Sequence, residues 1–107
     1  MDETKNLQQR IVDGRKERGF TTDPLRVFAL LTEEIGEVAG ELKRTWSKNY
    51  PDFDRQDLAN EISDVAVLLF ALADTFEIDV ADAVERKFFG SDAERSWATA
   101  ISENGDK

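Results

Sequence analysis

Residues 30–44 read LLTEEIGEVAGELKR and residues 58–74 read LANEISDVAVLLFALAD. In the first stretch Leu31, Ile35, Val38 and Leu42 recur at steps of three and four, a series that Leu25 and Phe28 begin and Trp46 ends. That period puts them on one face of an amphipathic helix. In the second, Leu58, Ile62, Val65, Leu69 and Leu72, continued by Phe76, keep the same period. Its flank at Ala66, Val67, Leu68, Phe70, Ala71 and Ala73 is apolar too. A helix apolar nearly all round is central and covered on more than one side, and in so short a chain that cover is expected to include another subunit.

Outward from these two helices the punctuation is helical as well. A first helix is predicted over residues 4–18, stopped by Gly19. Thr22, Asp23 and Pro24 form a start signal, a capping side chain followed by proline at the first helical position. The second helix should then end near Ser47, before the loop with Asn49, Tyr50 and Pro51, and the third begins around Asp54. Asp79 looks like the cap of a fourth helix through Val80, Ala83, Val84 and Phe88, closed by Gly90. Residues 91–100 carry a weaker pattern for a short final helix. No β-hairpin signal and no internal repeat is present, so the expected fold is all-α and four-helix-bundle-like, a single domain over residues 1–101 with a solvated tail over 102–107.

The chain has 107 residues, and at that size a single core buries only about two-thirds of the unfolded surface. With 40% hydrophobic and 35% charged residues it has the composition of a folded domain. Its 23 acids against 14 bases give a net charge of −9, which argues against a protein that grips nucleic acid. A polyanion can still bind where divalent cations stand between it and the protein. Cysteine and histidine are both absent, so disulfides, thiolate or imidazole metal sites and Ser-His-Asp catalysis are excluded. Chemistry is left to carboxylates, lysine, arginine, hydroxyls or a bound metal. The N-terminal ten residues lack the apolar core of a signal peptide and no run could span a bilayer; a cytoplasmic protein without membrane partners is expected.

Acids stand where the pattern calls for apolar residues. The second helix carries Glu33, Glu34, Glu37 and Glu41, and the third carries Asp57, Glu61 and Asp64. At about 100° per residue, Glu34 lies at the margin of the apolar stripe between Val27 and Val38, and Glu61 lies deeper, among Leu58, Val65 and Leu68. Glu37 and Asp64 follow at a spacing of three, each on its partner's side of the helix. Carboxylates beside a core repel one another and raise each other's pKa unless something compensates, and a divalent cation with hard oxygen ligands, magnesium above all, compensates directly. Acids at this spacing also decorate solvated faces. The residues alone leave both readings standing.

The two quoted stretches resemble the MazG-like nucleotide pyrophosphohydrolases, whose signature is E-E-x-x-E on one helix and E-x-x-D on the next. Here these read Glu33, Glu34, Glu37 and then Glu61, Asp64, and the likeness covers about residues 27–89. It implies a MazG-type fold completed by oligomerisation, as a homodimer or homotetramer with sites near subunit contacts. It implies Mg2+, with Mn2+ as a substitute, held by Glu34, Glu37, Glu61 and Asp64, and Glu33 as the catalytic residue that orients or deprotonates the attacking water. The reaction implied is hydrolysis of a nucleoside triphosphate at the α-phosphorus to the monophosphate and pyrophosphate, a nucleotide-pool house-cleaning activity. The same likeness makes Lys87, with Arg95 behind it, the candidate for the phosphates; where many relatives have an asparagine shortly after that lysine, this chain has Gly90, Ser91 and Asp92. Trp46, Phe53 and Trp97 flank helix ends or loops and are candidates to stack on the nucleobase, Trp46 foremost, with core or interface packing as the other reading. The alternative function is a non-catalytic helical module that keeps the fold and binds a basic partner or metal.

Overall fold

The computed structural model describes residues 2–95, all of whose regular structure is helical. Helix α1 spans Asp2–Glu17, α2 Pro24–Lys43, α3 Arg55–Thr75 and α4 Val80–Arg86, and a π-helical turn, Lys87–Ser91, continues α4. The expected all-α class is what the chain adopts. Of the proposed final helix over 91–100, residues 91–95 form the end of the π turn and further turns instead; its remainder, Trp97 and the 102–107 tail lie outside the described residues.

Local chemistry sets the boundaries. Gly19 leaves α1 at φ +73°, its N–H bonding the Lys16 carbonyl at 3.1 Å while the Phe20 N–H reaches back to Arg15 at 3.0 Å. This is the Schellman closure, which glycine adopts without steric cost. Asp23 caps α2 by accepting from the Arg26 N–H at 3.0 Å, with Pro24 at the first position. Asp54 caps α3 through the Gln56 N–H at 2.8 Å, and Asp79 caps α4 through the Asp82 N–H at 3.0 Å. Helix α2 ends at Lys43, earlier than the apolar spacing suggests, because the amides of Arg44, Thr45 and Trp46 bond three residues back and tighten the chain into turns. Helix α4 is likewise shorter than expected: Asp92 N–H bonds the Lys87 carbonyl five residues back at 2.8 Å, so the α-helical ladder gives way to a wider π turn around Phe88 and Gly90.

Helices α2 and α3 pack as an antiparallel pair. Val27, Leu31 and Leu68 are buried together, with Val65, Ala71 and Leu72 against them. Val27 shares a cavity wall with Ala71 and Thr75, and Glu34 meets Glu61 and Asp64. Each turn forward along α2 thus matches one turn backward along α3. Helix α1 packs on α3, and α4 packs on α1. Gln8 pins that second contact: its side chain donates to the Ile78 carbonyl and accepts from the Val80 N–H.

Within one chain the cover is thin. The apolar face of α2 leaves Leu25 79% exposed, with Phe28 and Ile35 more than half exposed, and on α3 Ile62 and Leu69 stand in solvent. Helices α1 and α2 cover α3 on more than one side, as expected, and leave part of its apolar circumference open within the chain. The radius of gyration, 17.2 Å against about 13 Å for a compact domain of 100 residues, agrees with an open arrangement.

Candidate metal centre

The antiparallel register brings the acid motifs together. From Leu31 one turn along α2 leads to Glu34, and from Leu68 one turn back along α3 leads to Asp64 and a second to Glu61, so the apolar core passes directly into a carboxylate cluster. One oxygen each from Glu34, Glu61 and Asp64 lie within 4.8 Å of one another. Glu34 and Glu61 are half-buried and Asp64 is exposed. Among the described residues none of the three forms an ion pair.

Electrostatics record the crowding. Burial, then the fields of Asp64, Glu37 and Glu33, push the Glu34 carboxyl above its ordinary value. Burial, then Glu34, Glu37, Asp64 and Glu41, push Glu61 up in the same way. Glu37 therefore belongs to the same patch, although it is exposed and lies outside the tightest trio. Glu41, which the motif does not include, also acts on it. Its Oε1 is buried without a hydrogen bond, 3.5 Å from Arg44 Nε. It stands one heptad beyond Glu34 on α2, and that spacing is the signal in the sequence that could have added it.

Hard oxygen donors converging from two helices, two of them partly desolvated and none with a basic partner among the described residues, fit a divalent cation. Glu33 lies on the exposed side of α2 and, with Glu34, lines a cleft of about 210 Å³ whose other lining comes from α1, the α1–α2 turn, Leu30 and Leu68.

Among the described residues, the candidates Lys87, Arg95, Trp46 and Phe53 do not line the Glu33 and Glu34 cleft. Lys87 Nζ is held 2.6 Å from Asp92 Oδ2, and Arg95 Nη1 is 3.4 Å from Asp92 Oδ1, both beyond α4, which packs on α1. Trp46 is 75% exposed on the turn after α2 and is no part of the core. Phe53 is exposed in the loop before α3. The basic residue that does line the Glu33 and Glu34 cleft is Arg15, which the sequence reading did not single out.

No family model matches the chain, and no solved structure matches it. It is 32% identical over 102 residues to the uncharacterized protein YpjD of Bacillus subtilis (strain 168), an alignment covering 88% of this chain and 91% of that protein. The chain belongs to the YpjD family. That alignment takes in most of the chain, so the YpjD relationship concerns the helical unit as a whole and not one motif. Among the described residues no helix is long and apolar enough to cross a membrane.

Proposed function

We propose that this chain is a magnesium-dependent nucleoside triphosphate pyrophosphohydrolase with a MazG-type fold, active as an oligomer. The observation that carries the reading is the convergence of Glu34, Glu61 and Asp64 from two helices, with no ion pair to any of them among the described residues. Glu37 stands beside them and completes the ligand set. When bound, the divalent cation supplies positive charge against the polyphosphate and acidifies a coordinated water.

The chain's own groups do the rest. Glu33, next to the ligands and on the cleft, accepts the proton of the water that attacks the α-phosphorus. A phosphorus–oxygen bond forms there, the bond from the α-phosphorus to the bridging oxygen breaks, and pyrophosphate leaves. Lys87 and Arg95 are held on the α4 side of the protomer, so contact with the phosphates calls for a second copy to present them. The exposed Leu25, Phe28, Ile35, Ile62 and Leu69 support such an association, since apolar area of this extent on the long helices marks a surface to be covered.

Incubation with each nucleoside triphosphate, canonical and deoxy, plus Mg2+ tests the reading by following monophosphate and pyrophosphate. Turnover of at least one substrate, abolished by Glu34→Ala and by Glu61→Ala without loss of helical circular dichroism, is the expected result. Orthophosphate and diphosphate as products, or no turnover across the panel, would overturn it.

A further inference from the structure

The guanidinium of Arg15 is unusually placed for a chain with an excess of acids. It is half-buried, burial pulls its pKa below the ordinary arginine value, and it forms no ion pair among the described residues. A partly desolvated arginine ordinarily faces a carboxylate or phosphate that matches its planar fork. Here two neutral contacts hold it in place: Nη2 donates to the Thr21 carbonyl at 2.9 Å, and the group lies 5.2 Å from the centroid of the Phe20 ring. Both follow from the Schellman turn at Gly19, which folds Phe20 back toward Arg15.

So fixed, Arg15 lines the same cleft of about 210 Å³ as Glu33 and Glu34. Leu30 and Leu68 line it as well. The cleft therefore carries one guanidinium and two carboxylates among apolar residues, and one of those acids, Glu34, belongs to the proposed metal centre.

We propose that Arg15 receives a phosphate group of the nucleotide, taking within the protomer the part of phosphate anchor in place of Lys87 and Arg95, which do not line this cleft. A polyphosphate in the cleft meets the guanidinium fork of Arg15 and, through a cation, the Glu34 carboxylate. Phe20 is a positioning residue, keeping the fork's donors turned toward the cleft. The inference rests on the proposed nucleotide chemistry and adds to it a specific anion contact supplied by α1.

Calorimetric titration with inorganic triphosphate in saturating Mg2+ tests it without regard to nucleobase. Arg15→Gln is expected to weaken triphosphate binding about tenfold, a change of about 1.4 kcal/mol, with Mg2+ affinity unchanged; Arg15→Lys recovers part of the loss. Because the Thr21 contact makes Arg15 part of the turn, the wild-type chain supplies a second measurement. Bound magnesium triphosphate should protect Arg15 from phenylglyoxal while Arg10 and Arg18 react at their free rates. A change in affinity below about twofold, or Arg15 modified as fast with ligand as without, overturns the inference while the metal centre stands. A wild-type chain that binds no Mg2+ overturns the proposed function, and the inference with it.

Discussion

The Gln8 carboxamide donates to the Ile78 carbonyl oxygen at 2.9 Å, joining α1 to the turn between α3 and α4 across seventy residues of chain. Its oxygen accepts from the Val80 N–H at 3.0 Å, so one side chain satisfies a carbonyl at the end of one helix and an amide at the start of the next. Gln8 is 7% exposed, the one buried polar side chain among the described residues. Gln8→Ala leaves both backbone groups short of water and should cost about 1–3 kcal/mol in urea unfolding. Gln9→Ala, which removes only an exposed bond to Asp13, should change stability by less than about 0.5 kcal/mol. Equal effects would show that the Gln8 bonds do not join α1 to the α3–α4 turn in solution.

The ends of α1 and α3 close with the same pattern of hydrogen bonds but with different residues in the left-handed position. Gly19 holds φ +73° after α1, whereas Glu77 holds φ +55° after α3, where Glu77 N–H bonds Asp74 and Ile78 N–H bonds Ala73. A residue with a Cβ pays about 1–2 kcal/mol for that conformation, and glycine's greater freedom in the unfolded chain returns about half of the gain. Glu77→Gly should therefore stabilise the chain by about 0.5–1 kcal/mol, and Gly19→Ala should destabilise it, both read from denaturant midpoints at constant slope. A Glu77→Gly variant less stable than wild type would contradict the assignment.

That contrast also marks what could be read in advance. The starts of α2, α3 and α4 were legible because a cap is local: Asp23, Asp54 and Asp79 each bond an amide two or three residues on. Gly19 was legible for the same reason, while Glu77 carries no sign of a left-handed residue. The acids of each helix could be placed on one side by spacing alone. Their meeting could not, because it depends on a register fixed by Val27, Leu31 and Leu68 packing across two helices. Arg15 looked like any cation on a polar helix until the turn folded Phe20 back toward it. Lys87 and Asp92 sit five apart, a spacing that an α-helix does not bring together and a π turn does.

Glu33 and Glu34 are neighbours in sequence with different surroundings, and their substitutions should separate. Glu34 is half-buried in the carboxylate trio, so its loss should abolish metal binding and turnover together. Glu33 is exposed on the cleft and outside the trio. Glu33→Gln should lower kcat by about 10²–10⁴-fold, the usual contribution of a positioned general base, while Mg2+ affinity measured by calorimetry stays near that of wild type. Loss of metal affinity in Glu33→Gln would make it a ligand instead of a base.

The raised pKa values of Glu34 and Glu61 fix the sign of the chain's pH dependence. Each binds its proton more tightly folded than unfolded, so its contribution to stability is complete below the ordinary 4.5 and is lost as pH rises through the raised value. Asp92, lowered by Lys87 and Arg95, acts oppositely, but its contribution is lost only as pH falls below the ordinary 3.8. Between about pH 5 and about pH 7 the cluster therefore dominates among these groups, and in EDTA it should lower Tm as pH rises. Glu61→Gln keeps the shape, removes one of the repelling charges, and should flatten that slope. Magnesium should reverse the trend, since its ligands must be deprotonated to bind: the rise in Tm on adding Mg2+ should be larger at the higher pH. Scanning calorimetry of wild type and Glu61→Gln, with and without Mg2+ at both pH values, measures all of this in one series. Equal magnesium shifts at both pH values, or equal shifts in the two proteins, would mean that the cation binds elsewhere than at Glu34, Glu61 and Asp64.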